Sequence, residues 1–372
     1  MYKKGLFTLF LIILLNNNLF TQTTLDYDHR VHPEKAKNYM VVSQNSLATD
    51  VGYEILQQGG NAIDAAVAVG FSLAVTLPRA GNLGGGGFML IYKADSNKVH
   101  SIDYRSAAPN LAKSEMYLTN SGVKRFGNIV NAVPGTVAGL IKAHKEHGKL
   151  PLKKVLKPSI DLAKKGFKVS YDLNYALKWA KDHLQANKVS KKKFYINSNK
   201  PLPVDSLFRQ PNLAKTLSLI SRKGKKAFYS GEIAEWIVKD AKLNGGLIRK
   251  DDLASYKAKS RTPIETSYRG YRVVSMPPAA SGGLVLLQTL NILENFNLSE
   301  LGQNSASSLH ILSESMIRAY ADRTRFHGDP DFYQVPVKSL LDKNYAKKRA
   351  NSINLSQKTP PDEISPGKGI QL

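Results

Sequence analysis

The stretch NAIDAAVAVGFSLAVTLPRAGNLGGGGFMLIYK, from Asn61 to Lys93, changes character twice, and those changes set the fold class. Asn61 can cap a helix, and Asp64, three residues on, favours the positive end of the helix dipole. The alanines and valines that follow leave almost no polar face, so this helix belongs in the middle of a core with neighbours packed closely against it. Pro78 ends it. After four glycines, Gly84 to Gly87, the segment FMLIYK has the apolar, β-branched look of a strand. Upstream, a strand reading at YMVVS (Tyr39 to Ser43) followed by a helix gives a strand-helix order that suggests a layered α/β (α+β) fold.

The glycines raise the question of a phosphate cradle. No G-x-G-x-x-G spacing is present, no lysine follows the run, and the next element reads as a strand rather than a helix, so a nucleotide site is not expected. Gly84, Gly85 and Gly86 are instead expected to support a site by allowing positive φ and close backbone approach.

Upstream, YMVVS at Tyr39 to Ser43 reads as a buried strand, followed by a helix with Ser46 as its cap and Gly59-Gly60 as its stop. Downstream, KVHSIDYR is a second strand, joined to the first through the turn-forming ADSN. Arg105 directly follows this strand and precedes a proline turn. A guanidinium fixed there could bind a carboxylate or pair with Asp103, and the spacing leaves both open. From Pro134 to about Lys200 the period is helical, with stops at Gly148 and Gly166. His144 and His147 lie three apart, but they lack zinc-protease spacing and read as a solvated helix end. Ser281 lacks the nucleophile-elbow pattern and reads as a helix cap. RTPIETSYRGYRVVSMP returns to strands around an Arg-Gly turn, and the proline-rich residues 351–372 read as a flexible tail.

Composition bounds the chemistry. The 372 residues carry 53 Lys and Arg against 29 Asp and Glu, a formal charge of +24, with no cysteine. Disulfides, thiolate catalysis and Cys-ligated metals are excluded. The basic runs are dispersed over segments that read as solvated faces, and aromatics are not interleaved with them as a nucleic-acid stacking platform needs. At the N-terminus, MYKKG followed by LFTLFLIILL has a signal peptide's layout and is too short to span a bilayer comfortably, so residues 1–24 are set apart as an export signal. Export makes nucleic acid a poor partner; no stable membrane span, metal or cofactor is expected.

NSLATDVGYEILQQGGNAIDAAVA (Asn45 to Ala68), GNLGGGGFM, DYRSAAP, AVPGTVAGL, GFKVS, MPPAASGG, AYADR and GDPDF occur in an order that resembles the γ-glutamyltranspeptidases from about Tyr39 to Pro336. The resemblance implies an N-terminal nucleophile hydrolase, an αββα four-layer sandwich of which residues 25–350 would form the large-subunit portion. It also implies a small-subunit partner whose N-terminal threonine is the nucleophile. The threonine-threonine-histidine cleavage motif does not occur here, and Thr23-Thr24 beside the export signal is no substitute, so no catalytic nucleophile is expected within these residues. By the same resemblance Arg105 binds the α-carboxylate of a γ-glutamyl donor such as glutathione. The family commonly has glutamate next to that arginine where Ser106 stands here, which keeps donor preference open, including glutaryl-type amides and poly-γ-glutamate. A truncated, inactive fragment and a basic protein adhering to an anionic surface are the alternatives.

Overall fold

The computed structural model describes residues 33–119, 122–123, 125–197 and 199–370. Val41–Leu372 form one compact unit; of the other, Met1–Met40, residues 33–40 are described and are exposed without helix or strand. The proposed export signal and Thr23-Thr24 lie outside the described residues. No helix among the described residues is long and apolar enough to cross a membrane.

Helix α1 (Ser46–Gln57) starts one residue earlier than the sequence suggests: Asn45, not Ser46, is the cap, its side chain accepting from Ala48 N. Helix α2 (Ala62–Thr76) opens with a full capping box. Asn61 accepts from Ile63 and Asp64 N, and Asp64 accepts back from Asn61 N at 3.0 Å. Asp64, fully buried, also accepts from the amides of Lys149 and Leu150, so one carboxylate ties two helix ends together. Val67, Ala68, Phe71 and Val75 are all 0 % exposed. The helix expected to be central is central, because small side chains let its neighbours approach from nearly every side.

Strands β1 (Phe88–Lys93) and β2 (Lys98–Asp103) pair antiparallel, Phe88 opposite Asp103, as the hairpin reading expects. A third strand, β9 (Lys259–Arg261), pairs with β2 across more than 150 residues of chain. Ile91 and Ile102 enter the main core, whereas Leu90 and Tyr92 on the other face stay exposed. YMVVS forms no strand: no ladder partner exists for it among the described residues, and Val42 is exposed.

Between these strands the chain forms the hairpin β3 (Leu118–Thr119) and β4 (Gly122–Val123), then α3 (Thr136–His147) and α4 (Leu152–Lys165), which stop at Gly148 and Gly166 as expected. After β5 (Phe167–Lys168) come the short helices α5 (Tyr171–Trp179), α6 (Lys181–Gln185) and α7 (Lys188–Phe194). The two-residue strands β6 (Tyr195–Ile196), β7 (Lys200–Pro201) and β8 (Leu207–Phe208) precede α8 (Pro211–Lys223), α9 (Lys225–Tyr229), α10 (Glu232–Leu243) and α11 (Lys250–Ser255). Helices α1 to α4 and α8 to α10 share one continuous apolar core with the β1–β2 hairpin.

The remainder builds a smaller region with two apolar clusters of its own. Strands β10 (Ile264–Tyr268) and β11 (Tyr271–Ser275) turn at Arg269-Gly270, both at positive φ, and pack on α12 (Ser281–Leu293). Ser281 is the first residue of that helix and not its cap; the cap is Ala280, with no side-chain bond. Helices α13 (Ala306–Phe326), α14 (Val337–Leu340) and α15 (Lys343–Asn351) complete it. The terminal segment expected to lack fixed partners is strapped down at both ends. Buried Glu314 accepts from Thr359 N and Oγ1, and buried Asp322 accepts from Gly367 N at 2.7 Å. Those carboxylates are otherwise held by Arg318, Tyr345 and Arg349, so the prolines end up spanning anchored points.

Candidate active-site cleft

The β1–β2 ladder continues past both strands. Gly87 N donates to Tyr104 O at 3.2 Å and Tyr104 N to Gly87 O at 3.0 Å, so Arg105 stands where the ladder ends. A side chain on Gly86 would meet Ser106 N at 2.5 Å and Tyr104 O at 2.6 Å. Within the run, close approach to backbone falls at Gly86, while Gly85 meets the Asn82 side chain and Gly87 the Tyr104 ring, and none of Gly84 to Gly87 has the expected positive φ. Gly84 has nothing within 4 Å of where a side chain would begin, so no packing constraint falls on it. Gly85 accepts the amides of Gly135 and Thr136, joining the loop to the start of α3.

Tyr104, unremarked in the sequence, is the wedge of this arrangement. Its ring lies where side chains on Gly87 or Gly139 would have to be, at 2.7 and 2.1 Å, and its carbonyl would collide with one on Gly135 at 1.9 Å. Burial pushes its phenol pKa up. Three glycines from two separate elements are thus shaped around the residue that precedes Arg105.

Arg105 itself is exposed in a cleft of about 410 Å³. Among the described residues no hydrogen bond or ion pair holds its guanidinium. Its main chain is held firmly instead: Asp103 Oδ1 accepts its N–H at 3.0 Å, and Tyr256 Oη donates to its carbonyl at 2.8 Å. The pairing of Arg105 with Asp103 left open by the sequence is resolved, because Asp103 Oδ2 accepts from Arg261 Nε at 3.2 Å. Arg261 also forms a two-pronged bridge to Asp331, 2.8 Å on each side, and Lys259 binds the same carboxylate. Hydrogen bonds from Arg261 and then Lys259 hold the Asp331 pKa well below the carboxylate range, and Asp331 in turn raises that of Arg261. The cleft thus has a locked wall of paired charges and, in Arg105, a guanidinium with no partner among the described residues. Such a cation suits a planar carboxylate.

His327, just past the end of α13, belongs to the same region. Its Nε2 lies 3.3 Å from the Ala279 carbonyl, which makes Nε2–H the donor and leaves Nδ1, buried, without a partner among the described residues. Burial lowers its pKa, and the charges of Arg323 and Arg105 lower it further. Tyr256, Arg261, Asp331 and His327 were not read as site residues from the sequence. Their only signal was the GDPDF motif around Asp331, since β2 meets β9 only on folding. Around His144 and His147, as elsewhere among the described residues, there is no group of three or more His, Asp or Glu side chains placed to hold a metal ion. His144 is not solvated either, its Nε2 lying 2.7 Å from Leu150 O.

The family description gamma-glutamyltranspeptidase matches residues 48–369. The chain is 46% identical over 342 residues to the glutathione hydrolase proenzyme of Escherichia coli, covering 91% of this chain and 59% of that protein. It is 38% identical to an acylase proenzyme of a Pseudomonas species, covering 89% of this chain and 61% of the relative. A crystal structure of gamma-glutamyltranspeptidase from Helicobacter pylori matches with a TM-score of 0.88 at 43% identity, covering 91% of this chain and 98% of that one. The chain spans about 59% of the length of the E. coli relative. The α+β fold, helix-rich with small antiparallel sheets, is that of the N-terminal nucleophile hydrolases, and the chain belongs to the gamma-glutamyltranspeptidase family.

Proposed function

We propose that this chain is the large-subunit part of an exported γ-glutamyltransferase and glutathione hydrolase, acting with a small subunit that brings the nucleophilic threonine. The observation that carries the reading is the unpaired guanidinium of Arg105, held by its main chain at the end of a ladder and facing an open cleft. A γ-glutamyl donor offers an α-carboxylate at one end and its scissile amide at the other. Two parallel N–H···O bonds from Arg105 would fix the carboxylate and so set the distance to the carbonyl under attack.

The threonine hydroxyl would then add to that γ-carbonyl, its proton passing to the threonine's own amine, and the leaving amine would depart protonated. Water or an amino acid would release the γ-glutamyl group from the acyl-enzyme. The exposed sheet face carrying Leu90 and Tyr92 is where the partner's layer would pack. Ser106 supplies no charge beside Arg105, which supports a looser grip on the donor's ammonium than a carboxylate there would give.

Co-expression with a small-subunit segment and assay on γ-glutamyl-p-nitroanilide tests this reading. Arg105→Ala should raise KM at least tenfold while leaving the purified protein folded and processed, since a charged hydrogen-bonded pair contributes roughly 1.5–3 kcal/mol. An unchanged KM would remove Arg105 from the site.

A further inference from the structure

Helix α5 carries an inverted surface. Leu173, Asn174 and Leu177 face the core, and the opposite face, where a solvated helix places charge, presents Tyr171, Tyr175 and Trp179 at four-residue spacing, 73%, 60% and 79% exposed. Lysines follow in the same run of helices: Lys178 on α5, Lys181 on α6, and Lys188, Lys191 and Lys192 on α7, with Lys178, Lys188 and Lys192 exposed. The acids in the segment are Asp172 and Asp182, and Asp172 is engaged by Arg79 at 3.0 Å. Beneath Tyr175 and Trp179 lies an apolar groove of about 610 Å³, floored by Leu173, Leu177, Leu184 and Phe194.

We propose that α5 to α7 form a peripheral docking surface for an anionic phospholipid bilayer, with Tyr171, Tyr175 and Trp179 at headgroup depth and the lysines on lipid phosphates. Tyr and Trp combine an apolar body with a polar tip and collect at the membrane–water interface, and basic side chains beside them add electrostatic attraction to anionic lipid. Two other occupants fit less well. Protein interfaces are enriched in Tyr and Trp but depleted in Lys. A second copy of this chain, docking face to face about a twofold axis, would set these lysines against their own images.

The test is co-sedimentation of the full chain with vesicles of equal phosphatidylglycerol and phosphatidylcholine, against phosphatidylcholine alone, with brominated lipid as a quencher. The expected result is binding to the anionic vesicles only, loss in 0.5 M salt, and quenching that disappears in Trp179→Ser. Replacing Tyr171, Tyr175 and Trp179 together by Ser should abolish sedimentation without changing Tm. Neutralising Lys188, Lys191 and Lys192 to Gln should weaken it about fivefold per lysine. Equal sedimentation of the aromatic variant and the parent overturns the proposal, as does binding indifferent to headgroup charge. Retention on nucleic acid with no quenching by brominated lipid overturns it too, and assigns the surface to a different polyanion.

Discussion

Asp103 holds Arg105 by its main chain and spends its charge elsewhere: one carboxylate oxygen accepts the Arg105 N–H at 3.0 Å, and the other accepts from Arg261 Nε at 3.2 Å. The same side chain therefore places the free guanidinium and keeps the neighbouring cation occupied. Asp103→Ala should destabilise the protein by about 1–3 kcal/mol, through an unpaired Arg261 edge and an unpaired Arg105 amide. It should also raise KM for a γ-glutamyl donor by loosening Arg105. Urea unfolding and steady-state kinetics on the assembled enzyme check the two effects separately.

The glycines around Tyr104 predict a sharp contrast. Gly139→Ala puts a methyl group 2.1 Å from the Tyr104 ring and should cost about 1–3 kcal/mol or prevent folding. Gly84→Ala meets nothing within 4 Å and should stay within roughly 0.5 kcal/mol of the parent. Denaturation midpoints of the pair measure this, and equal losses would refute the packing account.

His327 gives stability a pH dependence of predictable sign. Its pKa is lowered from 6.5 by burial and by the charges of Arg323 and Arg105, so below about pH 6.5 the unfolded chain binds a proton that the folded one resists. Stability should therefore fall as pH drops from 6.5 through the lowered folded-state value. His327→Gln should flatten that limb. Binding a carboxylate at Arg105 should ease the depression and raise the His327 pKa, which NMR titration of its ring would detect.

The terminal strap predicts local rather than global loosening. Thr359→Ala removes one of the two bonds to Glu314 and should increase hydrogen exchange and protease cleavage across 356–367, at a cost of about 1 kcal/mol. Asp322→Ala should be far worse, because it strands Gln288, Tyr345, Arg349 and the Gly367 amide together. Exchange measured by mass spectrometry distinguishes the two.

The legible parts of the sequence were those encoded locally. Asn61 and Asp64 announce a capping box, the alanine-rich run after them announces a central helix, and ADSN announces the hairpin that aims Arg105. What escaped was long-range. Tyr256 and Arg261 reach Arg105 and Asp103 from more than 150 residues away, and nothing in their own neighbourhood marks them. YMVVS has a strand's composition, but a strand exists only beside another, and none lies there among the described residues. The tail misled for a similar reason: prolines describe the intrinsic freedom of the chain and are silent about two buried carboxylates on another helix.

Four identical residues in a row carry no positional information. Sliding the loop so that Gly85 takes the place of Gly86 would set another glycine over Ser106 N, whereas the opposite slide would bring Phe88 against the Tyr104 ring. The index mark is Asn82. Its Oδ1 accepts the Gly85 amide at 2.7 Å and the Thr136 hydroxyl at 2.9 Å, so Gly85 alone is counted off against the start of α3. The glycines make the loop permissive; Asn82 counts off one end against the start of α3, and the Gly87–Tyr104 pairing holds the other end beside Arg105.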